Sequence, residues 1–96
     1  MREYELVFIV DPTQDEEGVN AITDRVTQVI TRSKGEVTRV DVWGRRKLAY
    51  PIKKFREGTY VLLQMQIAPE GLPELERVLK LTEPVIRHLL VRADEK

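Results

Sequence analysis

Cysteine is absent from all 96 residues, which excludes disulfides, thiolate nucleophiles and the common structural zinc sites. Histidine and serine occur once each, as His88 and Ser33; Ser33 falls near a predicted helix end and no acid has an evident place beside His88, so no Ser-His-Asp array is expected. His88 alternates with Ile86 and Leu90 on a predicted strand and reads as a half-buried structural residue. Long apolar runs are missing too. The longest is the five residues Leu6 to Val10, too short to span a bilayer and without a signal-peptide cleavage pattern. A cytoplasmic protein without membrane contact is therefore expected. Net charge is also lacking, since sixteen Lys and Arg balance sixteen Asp and Glu, with a pI near 6.6.

One local absence stands out against that balance. From Trp43 to Arg56 no acidic residue occurs, and the same stretch holds six of the sixteen basic residues and three of the six aromatics. Acids concentrate elsewhere: Asp11, Asp15, Glu16, Glu17 and Asp24 lie in a segment free of Lys and Arg. Such segregation predicts a bipolar molecule that meets a polyanion with one face only and binds it weakly alone. A second, basic protein would remedy that weakness. Hydrophobic residues at 42% and charged residues at 33% suit a folded soluble chain, and the length suits one domain over residues 1–96.

The pattern of elements is readable. Tyr4 to Val10 is β-branched, aromatic and apolar, and ends at Asp11-Pro12, as a central strand does. Thr13 with Glu16 fits a capping box, and Val19, Ile22, Val26, Val29 and Ile30 follow at helical spacing to a stop at Gly35. Val37 to Ile52 reads as an edge strand, with Pro51 favouring the edge and Gly44 a bulge or bend. A polar turn is expected from Lys53 to Gly58, then a strand from Tyr60 to Ile67. Leu72, Leu75, Val78 and Leu79 make a short helix from near Pro73, and Pro84 precedes a last strand, Val85 to Arg92. Ala93 to Lys96 reads as a frayed tail. The order β-α-β-β-α-β predicts an α+β, ferredoxin-like split βαβ fold: a four-stranded antiparallel sheet with two helices on one face.

Two surfaces are then left for function. Arg45, Arg46, Lys47, Lys53, Lys54 and Arg56 sit on the edge strand and its turn, suited to phosphate contact, with Trp43, Tyr50 or Phe55 packing on bases or a partner. Edge strands also carry cations to block aggregation, and aromatics often fill cores. The open sheet face is assigned Glu5, Val7 and Ile9 with Tyr60, Leu62, Gln64 and Gln66. It offers a single ring and suits protein contact at least as well as stacked bases. The loop after the first strand is acidic and would repel phosphate, and Asp11, Asp15 and Glu16 fit helix capping better than a cation site. No metal site is expected.

Met1-Arg2-x-Tyr4-Glu5 and Trp43-Gly44-Arg45-Arg46-x-Leu48-Ala49-Tyr50-Pro51-Ile52, followed by Gly58 and Tyr60, carry a resemblance over the whole length to the bacterial small-subunit ribosomal protein six family. The resemblance implies the ferredoxin-like fold, no enzyme activity and no cofactor. It also implies binding to the central domain of small-subunit ribosomal RNA as a heterodimer with small-subunit ribosomal protein eighteen. Arg2, Arg45 and Arg46 fall at motif positions as RNA contacts, and Trp43, Tyr50 and Tyr60 are candidates for the partner. Lys47, Lys53, Lys54 and Arg56 rest on charge alone. A ferredoxin-like small-molecule-binding regulatory domain is the alternative, and an acylphosphatase-like enzyme a distant third whose arginine could only be Arg2.

Overall fold

The computed structural model describes residues 2–93. Strand β1 (Arg2–Val10) leads to helix α1 (Glu16–Arg32), then to strands β2 (Glu36–Ile52) and β3 (Phe55–Ile67). A 3₁₀ turn (Pro69–Gly71), helix α2 (Leu72–Leu81) and strand β4 (Val85–Arg92) complete it. All pairings are antiparallel and the strand order is β2-β3-β1-β4, the expected ferredoxin-like α+β arrangement. The central strands are the two with the strongest apolar alternation.

That alternation builds the core. Leu6, Phe8 and Val10 of β1 and Val61, Leu63, Met65 and Ile67 of β3 point to one face and are fully or almost fully buried. Val19, Ile22, Val26, Val29 and Ile30 of α1 and Leu75 and Leu79 of α2 close over them. Burial of each such side chain is worth about 1.5–3 kcal/mol, so both helices are held to this face and the other remains uncovered. His88 is half-buried opposite Phe8.

Three local expectations need correction. The N-cap of α1 is Asp15, whose carboxylate accepts from Gly18 N at 2.9 Å. Thr13 instead donates its backbone N–H and its hydroxyl to Asp11, closing a turn before the helix. At the other end of α1, Lys34 N donates to Thr31 O and Gly35 N to Ile30 O, a Schellman arrangement. Its left-handed position is occupied by Lys34 (φ 64°), not by a glycine. Gly35 serves a different need: a Cβ there would lie 2.8 Å from the Gln66 carbonyl oxygen. The hairpin turn, finally, is only Lys53 and Lys54, and β3 begins at Phe55. Glu57, Gly58 and Thr59 look like turn residues but pair with Lys47, Arg46 and Arg45 across the ladder. Of the tail expected to fray, Ala93 is tied to Glu3 O at 2.9 Å, and residues 94–96 lie outside the described residues.

Candidate functional site

Strand β1 accompanies β3 only as far as the Val10 to Thr59 pair, whereas β2 and β3 continue to Ile52 and Phe55. The hairpin beyond that point is a two-stranded arm. Such a ribbon is marginal alone, and contacts with the body support it.

A bulge at its root sets the direction of every side chain that follows. Val42 stands opposite Val61 and Gly44 opposite Tyr60, so Trp43 is the extra residue. Gly44 has φ 86°, a left-handed conformation that a Cβ would strain. The bulge reverses the alternation. Arg45 pairs with Thr59 on the helix side, and Arg46 with Gly58 on the open side. Arg45 donates through Nη2 to the Pro12 carbonyl at 2.8 Å, which pins the root of the arm to the loop before α1. Arg46 lies over the Trp43 ring, 5.6 Å from its centroid, and Trp43 stacks on Tyr60 at 6.1 Å and 14°. Cation, indole and phenol thus form one short stack on the open face.

Farther out, four residues from Leu48 to Pro51 face only Arg56 across the hairpin, and this irregularity lets the arm curl over the sheet. Leu48, Tyr50 and Ile52 then wall a cleft of about 230 Å³ together with Val7, Ile9, Tyr60 and Leu89. That cover explains why Ile9, on the helix-free face, is only 7% exposed. The Tyr50 hydroxyl meets Nη1 of Arg87 on β4, whose guanidinium carbon is 5.8 Å from the Tyr50 ring centroid. Trp43 and Tyr50 remain 41% and 54% exposed, so both are surface rings and not core.

Lys47, Lys53, Lys54 and Arg56 are exposed on the same arm, and Glu57, opposite Lys47, is its one acid. The arm therefore carries cations on both faces and at its tip. Arg2 does not join them. It pairs with Ile67 at the other end of β1, roughly 25 Å from the Val10 end at about 3.3 Å per residue. The expected bipolar separation is also incomplete, because Asp15 and Glu16 border the same groove as Arg45 and Gly44.

The open face matches the expected set, with Val7, Leu62, Gln64 and Gln66 partly exposed, and Gln64 and Gln66 donating to Glu5 and Glu3 at 3.4 and 3.3 Å. The expectation of one ring there holds for the central strands, but the arm adds Trp43 and Tyr50 around Tyr60. Strand β4 adds Leu89 and Val91, 55% and 47% exposed, and Arg87. These were missed in the sequence. Their signal was the alternation of β4, which sets Arg87, Leu89 and Val91 opposite to His88 and Leu90. Among the described residues no three of His, Cys, Asp and Glu converge as metal ligands, and Asp11 and Asp15 are engaged in the turn and cap.

Comparison with known proteins adds a family. Residues 3–92 match the family described as Ribosomal protein S6. The chain is 46% identical over 96 residues to small ribosomal subunit protein bS6 of Moorella thermoacetica, covering 100% of this chain and 98% of that protein. It is 50% identical over 93 residues to the protein of the same name in Clostridioides difficile, covering 97% and 100%. Among solved structures it is similar to 30S ribosomal protein S6 from Thermotoga maritima, with a TM-score of 0.90 and 37% identity over 95% of this chain and 86% of that one. The C-terminal domain of the MgtC protein from Mycobacterium tuberculosis shares the fold alone, at a TM-score of 0.66 and 11% identity.

Proposed function

The chain belongs to the ribosomal protein S6 family of the small ribosomal subunit, and from that premise we propose that it binds the central domain of small-subunit ribosomal RNA through its β2–β3 arm while ribosomal protein eighteen docks on the open sheet face. It works as a structural constituent of the cytoplasmic ribosome, not as an enzyme.

One observation carries the reading: the arm extends past the end of β1 and carries six exposed basic residues, none in an ion pair among the described residues. Unpaired guanidinium and ammonium groups release counterions when they meet phosphates, which supplies affinity without base specificity. Arg46 stands on a rigid ring stack, and Arg45 and Tyr50 hold the arm from its two sides, so little ordering entropy is left to lose. Leu62, Leu89 and Val91 on the open sheet face offer an apolar surface to a protein. Arg2, far from the arm, is assigned a separate phosphate contact. Balanced net charge makes this chain alone a weak ligand, and a basic partner completes the clamp.

Titration of small-subunit RNA tests this. The heterodimer should bind at least about tenfold more tightly than the isolated protein and show the steeper salt dependence. Equal affinities and slopes would overturn it.

A further inference from the structure

A row of three open-face residues crosses the sheet beside the arm. Ile9 of β1 stands between Tyr60 of β3 and Arg87 of β4, each directly opposite it in the ladder. Rings of the arm engage both ends of that row: Trp43 stacks on Tyr60, and the Tyr50 hydroxyl accepts from Arg87, whose guanidinium also approaches the Tyr50 ring. Because β2 and β4 are the two edges of the sheet, the Tyr50–Arg87 contact joins its opposite sides. The ladder does not dictate this posture. Between the Lys47–Glu57 and Ile52–Phe55 pairs its register is irregular, and beyond Val10 no third strand supports the hairpin. Arg87 is exposed and has no ion pair among the described residues, so the hydroxyl and ring of Tyr50 are what engage its guanidinium.

We propose that Arg87 is a positioning residue for RNA binding: with Tyr50 it forms a latch that holds the arm closed over the sheet, and a protein docking on the open face closes the same joint. This rests on the reading of the arm as the RNA-contacting element. Tyr50 of the arm and Leu89 of β4 both line the cleft and are 54% and 55% exposed, so one docked surface covers both and gains more from the closed arm than from an open one. A cation at an exposed ring with one hydrogen bond is a weak fastening, which leaves the partner room to raise the closed fraction. Affinity for RNA follows that fraction. Part of what the partner adds is then posture and not charge, and linkage requires RNA to raise the partner's affinity by the same factor.

Titration of small-subunit ribosomal RNA with the isolated chain and with the heterodimer tests this. Arg87→Met removes the hydrogen bond and the cation but keeps an apolar stem beside the ring. It should weaken the isolated chain about fivefold and the heterodimer less than about twofold, so that the gain on adding the partner grows. The logarithmic salt slope should not change, because no phosphate contact is lost. Tyr50→Phe leaves every charge in place and should weaken the isolated chain about threefold. Added to Arg87→Met it should cost nothing more. An equal loss in both forms overturns the proposal: with a slope lower by about 0.9, Arg87 is a phosphate contact, and with an unaltered slope the partner does not close the joint. Losses that multiply in the double variant overturn it as well, since the two residues then act separately. If the unaltered heterodimer does not bind the RNA, the arm reading falls and the latch with it. If it binds and both variants bind like the unaltered protein in either form, the latch alone falls.

Discussion

Strand β3 passes through two environments. From Thr59 to Ile67 it has β1 on one side and β2 on the other, and its inward side chains Val61, Leu63, Met65 and Ile67 are essentially inaccessible. From Phe55 to Gly58 only β2 accompanies it, and Arg56 is exposed. The inner part draws its energy from burial, at about 1.5–3 kcal/mol for each large side chain. The outer part is held by a cation on a ring and a carbonyl contact, each worth about 1 kcal/mol, and by an apolar fringe that is only partly buried. Stability is thus placed on the inner length of the hairpin, and the binding proposed for the arm on its outer length. The buried core contains no residue of the arm, so loss of its cations should spare the fold.

The largest test of that division lies in the body. Phe8→Ala should cost about 3–5 kcal/mol in urea unfolding, because the ring is wholly buried between the sheet and the helices. A loss below about 1 kcal/mol would erase the contrast with the arm. Gly44→Ala probes the boundary and should cost about 1–2 kcal/mol, the penalty of a Cβ at φ 86°. Trp43 is the sole tryptophan, so its fluorescence reports whether the stack on Tyr60 is lost as the bulge relaxes. The smallest effect on stability belongs to the arm. Arg45→Ala with Arg46→Ala should change it by no more than about 1 kcal/mol while RNA affinity of the heterodimer drops at least about tenfold. Unfolding of that double variant would make the arginines structural and sink the division.

Much of the body was legible because its signals are local and repeated. The stripe of Val19, Ile22, Val26, Val29 and Ile30 has only one helical reading, and strict alternation from Val61 to Ile67 only one strand reading. The misreadings fall where two local solutions compete. Thr13 and Asp15 can both cap α1, and Asp15 wins because Asp11 already engages Thr13. Glu57-Gly58-Thr59 has turn chemistry, but the ladder to β2 satisfies its backbone better than a loop. Arg87 was illegible as a site residue because its partner, Tyr50, lies 37 residues away.

By itself the sequence determined the element order, the core, the edge position of β2 and the concentration of cations in one stretch, because periodicity, proline and charge are properties of neighbouring residues. It also marked Gly44 as a bend. Which arginine faces the helices and which the open sheet was decided only by the tertiary structure. A one-residue bulge exchanges the two faces of a strand for every residue beyond it, and its register is set by pairing with a strand distant in the chain. The same holds for the separation of Arg2 from the arm and for the closure of the arm over Ile9, which depend on where strands end relative to one another.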